Sequence, residues 1–269
     1  MSFSIQGGGA NPGLRGLHQT QQRLQNSMAR LATNKRINSA ADDAAGLAIA
    51  ARLGASVRGL AQGERNLADG VSMARTAEGS LANTHESLAR MRELTVQAQN
   101  GTLSAEDRGV IQAEYDQLAE QIDQNAAGAR FGDQQSLLDG SQSGAAARTI
   151  VDGQGQQTTL DLPDVRSQAL GVAGLDVGDP QTLSKLDLAI DQVSSVRSKL
   201  GATESTLQRS AANSAVTREN EAAAQSRIED ADVAQEVANI TRDRILHSLQ
   251  ITGIRVSGQT ARRAVDLLG

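Results

Sequence analysis

Cysteine and tryptophan are missing from the chain, and only Phe3, Tyr115 and Phe131 carry an aromatic ring. Without thiols there are no disulfides, thiolate metal ligands or cysteine nucleophiles. A compact globule of 269 residues normally fills its interior with several large rings. Here Ala, Leu, Val and Ile must do so at helical spacing, which suits thin, elongated helix pairs. Prolines are equally scarce, and none falls between Pro12 and Pro163. No apolar run approaches the roughly 20 residues that span a bilayer. The start, MSFSIQGGGANPG, has neither the basic region nor the apolar block of a cleavable secretory signal. These absences predict a protein without membrane insertion, either cytosolic or exported by a route that cleaves no signal.

Acidic residues are absent before Asp42, while Arg15, Arg23, Arg30, Lys35 and Arg36 give that arm +5. From Thr241 onward Arg242, Arg244, Arg255, Arg262 and Arg263 outweigh Asp243 and Asp266, although the net charge of the whole is −5. Basic ends around an acidic middle can be nucleic-acid arms. With no aromatics to stack bases, the solvated faces of amphipathic helices are the better reading, and no nucleic-acid partner is expected.

Asp42 and Asp43 could be paired catalytic carboxylates or metal ligands, and so could Glu229, Asp230 and Asp232. Their places beside helix segments explain them through the helix dipole instead. His18, His85 and His247 lie far apart and form no i, i+4 metal pair. No nucleophile elbow is present. The Gly7-Gly8-Gly9 run lacks the preceding strand and following Gly-Lys-Ser/Thr of a phosphate loop. No enzyme activity, cofactor or metal is expected.

After an irregular start, Leu14, Leu17, Leu24, Met28 and Leu31 hold a/d spacing over about 20 residues. Such a seam is too short to stand alone in water and needs a partner. At Arg36–Ala50, RINSAADDAAGLAIA, turn formers feed a helix. Asn38 and Ser39 are candidates to accept from its orphan N–H groups, and Asp42 and Asp43 face the positive end of its dipole. The stretch reads as a joint between the partner-dependent arm and a self-sufficient rod, so proline at Ala44 or Ala45 should spoil assembly.

Beyond it Leu53, Leu60, Leu67, Ala74, Leu81 and Leu88 recur every seven residues. A helix over about 44–99 would run roughly 80 Å at 1.5 Å per residue. Asn100-Gly101 is a stop, with Gly101 available as a left-handed cap. Ser104 and Asp107 form a capping box for a second helix to about 128, folding back antiparallel.

Gly128–Gly144 reads as loop. Short strands at 147–151 and 157–162 joined by Asp152-Gly153-Gln154-Gly155 predict a β-hairpin within about 145–163. A last helical region starts at Asp179-Pro180 and runs through about 228, with Arg197 and Glu204 interrupting its a/d seam. Ile228, Val233, Val237, Ile240, Ile245 and Leu249 continue the stripe, and Ala264–Leu268 is a short apolar tail. The fold class is mainly α: a long antiparallel helical rod or coiled coil formed by the N- and C-terminal helices, with one small β-hairpin in the middle.

Several segments also resemble bacterial flagellins. Arg36–Ala40, Asp42–Gly46 and Ala48–Ala50 are similar to the family's N-terminal signature. Leu88–Leu94 and Ile111–Glu114 resemble its two rod segments, and Phe131 with Leu137–Gly140 resembles the loop after them. Ser226–Asp232, followed by Ala234 and Glu236, is similar to the C-terminal signature. The resemblance implies an inner-tube domain from residues 1–43 with 229–269, and an outer rod domain from 44–228. Flagellins often carry large variable domains where this chain has only residues 140–180, so the resemblance is to a short form.

It further implies a secreted, extracellular subunit of the flagellar filament that is exported unfolded and self-assembles into a helical tube. Its partners would be further copies of itself, the flagellar export apparatus, an export chaperone and the filament cap. Matching positions imply a contact surface at Arg90, Leu94 and Glu114, for neighbouring subunits and for the flagellin-sensing Toll-like receptor. Arg36, Asn38, Ser39, Asp42 and Asp43 would form the domain joint. The alternative is a secreted helical binding protein of hook–filament junction type, which connects but does not polymerise.

Overall fold

Five α-helices and two small antiparallel ladders make up the computed structural model, which describes residues 12–132 and 135–266. In chain order they are α1 (Pro12–Thr33), α2 (Ala44–Ala98), α3 (Ala105–Gly128), β1 (Arg130–Phe131), β2 (Gln135–Ser136), β3 (Arg148–Val151), β4 (Gln157–Leu160), α4 (Pro180–Glu229) and α5 (Val233–Asp266). The mainly α expectation, with a helical hairpin and a central β-hairpin, holds. Residues 1–11 and the end of the apolar tail lie outside the described residues.

Contacts divide the chain into two units, one of Met1–Ala55 with Asn220–Gly269 and one of Ser56–Glu219. In the second unit α2, α3 and α4 share a core of Leu81, Leu88, Met91, Tyr115, Ile122 and Val193, all inaccessible to solvent. The Tyr115 hydroxyl donates to the Val172 carbonyl at 2.9 Å, which satisfies the only polar atom that this ring brings inside. Burial pushes its phenol up from the ordinary value. Ser104 caps α3 in a capping box with Asp107, as its spacing predicts.

Arg197 and Glu204, the apparent faults in the α4 seam, are cross-helix partners. Glu204 accepts from Arg75 at 2.7 Å and Arg197 lies 3.7 Å from Glu78. Arg218–Glu64 and Arg92–Asp187 continue the row, pairing rising numbers on α4 with falling numbers on α2. The two helices are therefore antiparallel, with a register marked by charge.

The hairpin lies against a glycine-bearing stretch of α2. A Cβ on Gly63 would fall 1.9 Å from the Gly153 nitrogen, and one on Gly153 would fall 2.3 Å from the Leu60 Cα. Backbone meets backbone there, which only glycine allows. Asn66 Nδ2 donates to the Val151 carbonyl at 3.1 Å, and Ile150 packs over Gly70.

Three details differ from the sequence reading. A second ladder pairs Arg130 with Ser136 and Phe131 with Gln135 inside the expected loop, because Leu137 and Leu138 are drawn into the core. Gly101 is not left-handed. Instead the Asn100 side chain and carbonyl accept from Thr102 and Leu103, and these bonds close the turn. Finally, α2 contains an 18-residue window of mean hydropathy 1.2 and few charges. By length and composition this passes for a membrane span, a weak signal that a core helix of a soluble protein also gives.

Candidate functional site: the paired terminal helices and their joint

Within the first unit α1 runs antiparallel to α5. Lys35 meets Glu229, Arg30 meets Glu236 at 3.4 Å, and Gly16 lies against Gln250. Positions 229, 236, 243 and 250 are spaced by seven, the first at the end of α4 and the other three on α5. All but the last are acidic, and Glu229, Glu236 and Asp243 are buried. Thr20 and Ser27 on α1 are buried too.

Electrostatics favour the charged form of Glu229 and Glu236. The Lys35 ammonium, followed by the Gln225 amide, holds Glu229 below its ordinary value. For Glu236 burial is the largest influence and raises the carboxyl. Hydrogen bonds from Ser27, Asn239 and Arg30 together outweigh it and leave the group lowered.

Leu17, Leu24, Leu31, Ile251 and Ile254 are half-buried, and other large apolar side chains are less covered still. Leu14, Met28, Val233, Val237, Ile245, Leu249 and Val256 are all at least 46% exposed. Among the described residues of this unit only Ile37, Ala50 and Ile240 are buried apolar ones. A helix pair that buries acids and hydroxyls while leaving much of its Leu, Ile and Val exposed departs from the usual arrangement. It leaves exposed apolar side chains along both helices, which water does not favour.

The joint at 34–43 sits at one end of this pair. Asn34 takes φ 54°, the left-handed turn that ends α1. The chain then ladders onto the end of α4: Arg36 N donates to the Glu229 carbonyl at 2.6 Å and Ala231 N to the Asn34 carbonyl at 3.0 Å. The Arg36 guanidinium adds a bond to the Ile228 carbonyl at 2.7 Å. The stretches singled out at the two ends of the sequence are thus bonded to each other, backbone to backbone.

Asp42 and Asp43 divide the remaining work. Asp42 accepts from the Asn38 and Ser39 backbone and from the Ser39 hydroxyl, at 2.9–3.1 Å. Those bonds, the backbone ones from Ser39 and Asn38 foremost, hold its carboxyl below the usual range. Asp43 is the helix cap, accepting from Gly46 N at 2.8 Å.

Capping by Asn38 or Ser39 is therefore overturned. Asn38 accepts from the Thr33 hydroxyl and donates to the Lys35 carbonyl, and the Ser39 hydroxyl donates to Asp42. A Cβ on Gly46 would fall 2.3 Å from the capping carboxylate and 2.8 Å from buried Ile37, so the glycine is part of the joint. The proline expectation changes as well. Ala44 is the first helical residue, where proline is tolerated. Leu47, whose N–H bonds the Asp43 carbonyl at 3.0 Å, is the first position whose ladder bond proline would remove.

In the second unit Arg90 donates to Glu114 through Nε and Nη2 at 3.0 and 2.7 Å and to Glu93 at 3.2 Å. Leu94, expected beside Arg90 on a contact face, is instead 1% exposed and belongs to the core. A side chain one turn along the helix from Arg90 shares its face only in part, and Leu94 falls on the buried side. Among the described residues no group of His, Asp and Glu is placed to hold a metal ion.

Residues 10–143 match the bacterial flagellin N-terminal helical region, and residues 183–259 match the bacterial flagellin C-terminal helical region. The flagellin of Halalkalibacterium halodurans is 36% identical over 250 residues, 91% of each chain.

The chain belongs to the bacterial flagellin family.

The flagellar filament 30.7 kDa core protein of Treponema maltophilum is 31% identical, over 91% of this flagellin and 92% of that chain. The structure of a putative flagellar hook-associated protein from Vibrio parahaemolyticus superposes with a TM-score of 0.60, over 70% of this flagellin and all of that chain. At 16% identity that likeness concerns the fold. Residues 36–43 stand out in the sequence of this flagellin, whereas the groups bonded to them do not. Nothing adjacent to Lys35, Glu229, Glu236 or Asp243 marks a partner, yet the spacing of seven shared by 229, 236 and 243 is readable in the sequence. Gly63 and Gly153 gave no such signal.

Proposed function

We propose that this flagellin is a structural subunit of the bacterial flagellar filament, a helical tube for motility outside the cell, and that its terminal helices supply the contacts between copies. The observation that carries this reading is the exposure of Leu14, Met28, Val237, Ile245, Leu249 and Val256 on α1 and α5, while Glu236, Asp243, Thr20 and Ser27 are buried. A surface of that kind is stabilised when copies of the same chain cover it. In this reading residues 1–43 with 229–269 form the inner-tube domain and residues 44–228 the outer rod domain. The chain is exported unfolded without a cleaved signal, and α1 and α5 become fully ordered only on assembly, because so few apolar side chains are buried between them.

The export apparatus, an export chaperone and the filament cap are its partners on the way. The subunit works without catalysis, cofactor or membrane insertion. The Arg90–Glu114 pair, without Leu94, is the proposed surface for neighbouring subunits and for a flagellin-sensing Toll-like receptor. Seeded polymerisation tests the reading: purified monomer added to short filament fragments should extend them into tubes visible by electron microscopy. Monomer that binds fragment ends and stops would instead identify a junction-type protein.

A further inference from the structure

The turn between α2 and α3 brings together the requirements for an intramolecular reaction. Asn100 is exposed, and the next residue, Gly101, has no side chain to shield its nitrogen and nothing within 4 Å of where a Cβ would lie. Among the described residues nothing accepts from the Gly101 N–H, whereas its neighbours are bonded: Asn100 N donates to the Gln97 carbonyl, Thr102 N to Asn100 Oδ1 at 3.2 Å, and Leu103 N to the Asn100 carbonyl. The Thr102 bond polarises the Asn100 side-chain carbonyl. It also places a donor on the oxygen that gains negative charge when a nucleophile adds to Cγ.

We propose that Asn100 is a site of spontaneous deamidation through a succinimide. The Gly101 nitrogen, losing its proton to solvent base, adds to Asn100 Cγ. The bond from Cγ to the side-chain nitrogen breaks, and ammonia leaves with a proton from water. Water then opens the ring. Attack at the side-chain carbonyl gives aspartate, and attack at the main-chain carbonyl gives isoaspartate, which carries one extra methylene in the backbone. Both products put a carboxylate at the C-terminal end of α2, where the helix dipole is negative and the last turn holds no basic residue.

The asparagines followed by serine or threonine are held away from this chemistry. Asn26-Ser27, Asn83-Thr84 and Asn213-Ser214 lie inside α1, α2 and α4, where the following N–H is part of the helical ladder. Asn38-Ser39 lies outside a helix, but Ser39 N donates to Asp42 at 2.9 Å. The fold therefore leaves Asn100 open and protects these four.

The test is to incubate purified folded protein in mildly alkaline buffer and follow the exchange of NH2 for OH by peptide mass mapping, with isoaspartyl methyltransferase marking isoaspartate. Folded protein is expected to convert at Asn100 alone among these five asparagines, and protein held in denaturant to convert at Asn38 and others as well. Gly101→Ala, which the open space accommodates, should slow the reaction at Asn100 by roughly tenfold, which corresponds to about 1.4 kcal/mol of barrier. An Asn100 that stays intact in folded protein while the denatured chain converts would overturn the proposal. Conversion at Asn38 in the folded protein as fast as at Asn100 would also overturn it.

Discussion

Gly63→Ala is expected to destabilise the Ser56–Glu219 unit by about 3 kcal/mol, whereas Gly79→Ala, in the same helix, stabilises it. The difference lies in what the added methyl meets. At Gly63 it would fall 1.9 Å from the Gly153 nitrogen and 2.6 Å from its Cα. Those are backbone atoms, which cannot rotate aside. The hairpin turn must lift, giving up the Asn66 bond to Val151 and the packing of Ile150 on Gly70. At Gly79 the methyl meets nothing within 4 Å, so only the helix-propensity gain of up to about 1 kcal/mol remains.

In domains of this size each kcal/mol moves the melting temperature by roughly 2–4 °C. The expected shifts are a fall of roughly 6–12 °C at Gly63 and a rise of roughly 2–4 °C at Gly79. The buried, solitary Tyr115 gives the optical signal of this unit alone. Equal shifts in both variants would show that the hairpin does not depend on the close approach at Gly63.

Leu249→Asp is expected to abolish polymerisation at ordinary concentrations while leaving the Tyr115 melting transition unchanged. Leu249 is 62% exposed on α5, one turn from Ile245 at 55%. Covering a leucine of this kind is worth roughly 1.5–3 kcal/mol, and a carboxylate in its place adds a desolvation cost. Since 1.4 kcal/mol is tenfold in an equilibrium constant, the critical concentration for seeded growth should rise by roughly 10–100-fold. Growth at the wild-type critical concentration would place the assembly contacts away from this face of α5.

Helices were legible because their signals are local and repeated. The heptad leucines of α2, the Ser104–Asp107 box and Pro180 are each read within a few residues. The hairpin was legible through Asp152–Gly155. What escaped depended on contacts across the sequence. Lys35 and Glu229 are 194 positions apart, and nothing near either says that it has a partner. Arg197 and Glu204 looked like faults because a seam is judged by its own helix, and their partners sit on α2. Leu94 was placed on a surface by its family resemblance, while the packing of α3 and α4 around α2 decides which side of the helix is covered. Asp43 rather than Asn38 caps α2 because the cap must directly precede the first helical residue, and the sequence alone left that start open by several positions.

In the proposed assembly α1 and α5 form a pair with too few buried apolar side chains to hold firmly alone, and other copies cover its exposed Leu, Ile and Val. Amide hydrogen exchange, compared between dilute monomer and assembled filament, tests this most directly. Fast exchange is expected along α1 and α5 in the monomer, with slow exchange in the α2–α4 core and strong protection of α1 and α5 once assembled. Protection of α1 and α5 in the monomer equal to that of the core, and unchanged in the filament, would contradict it.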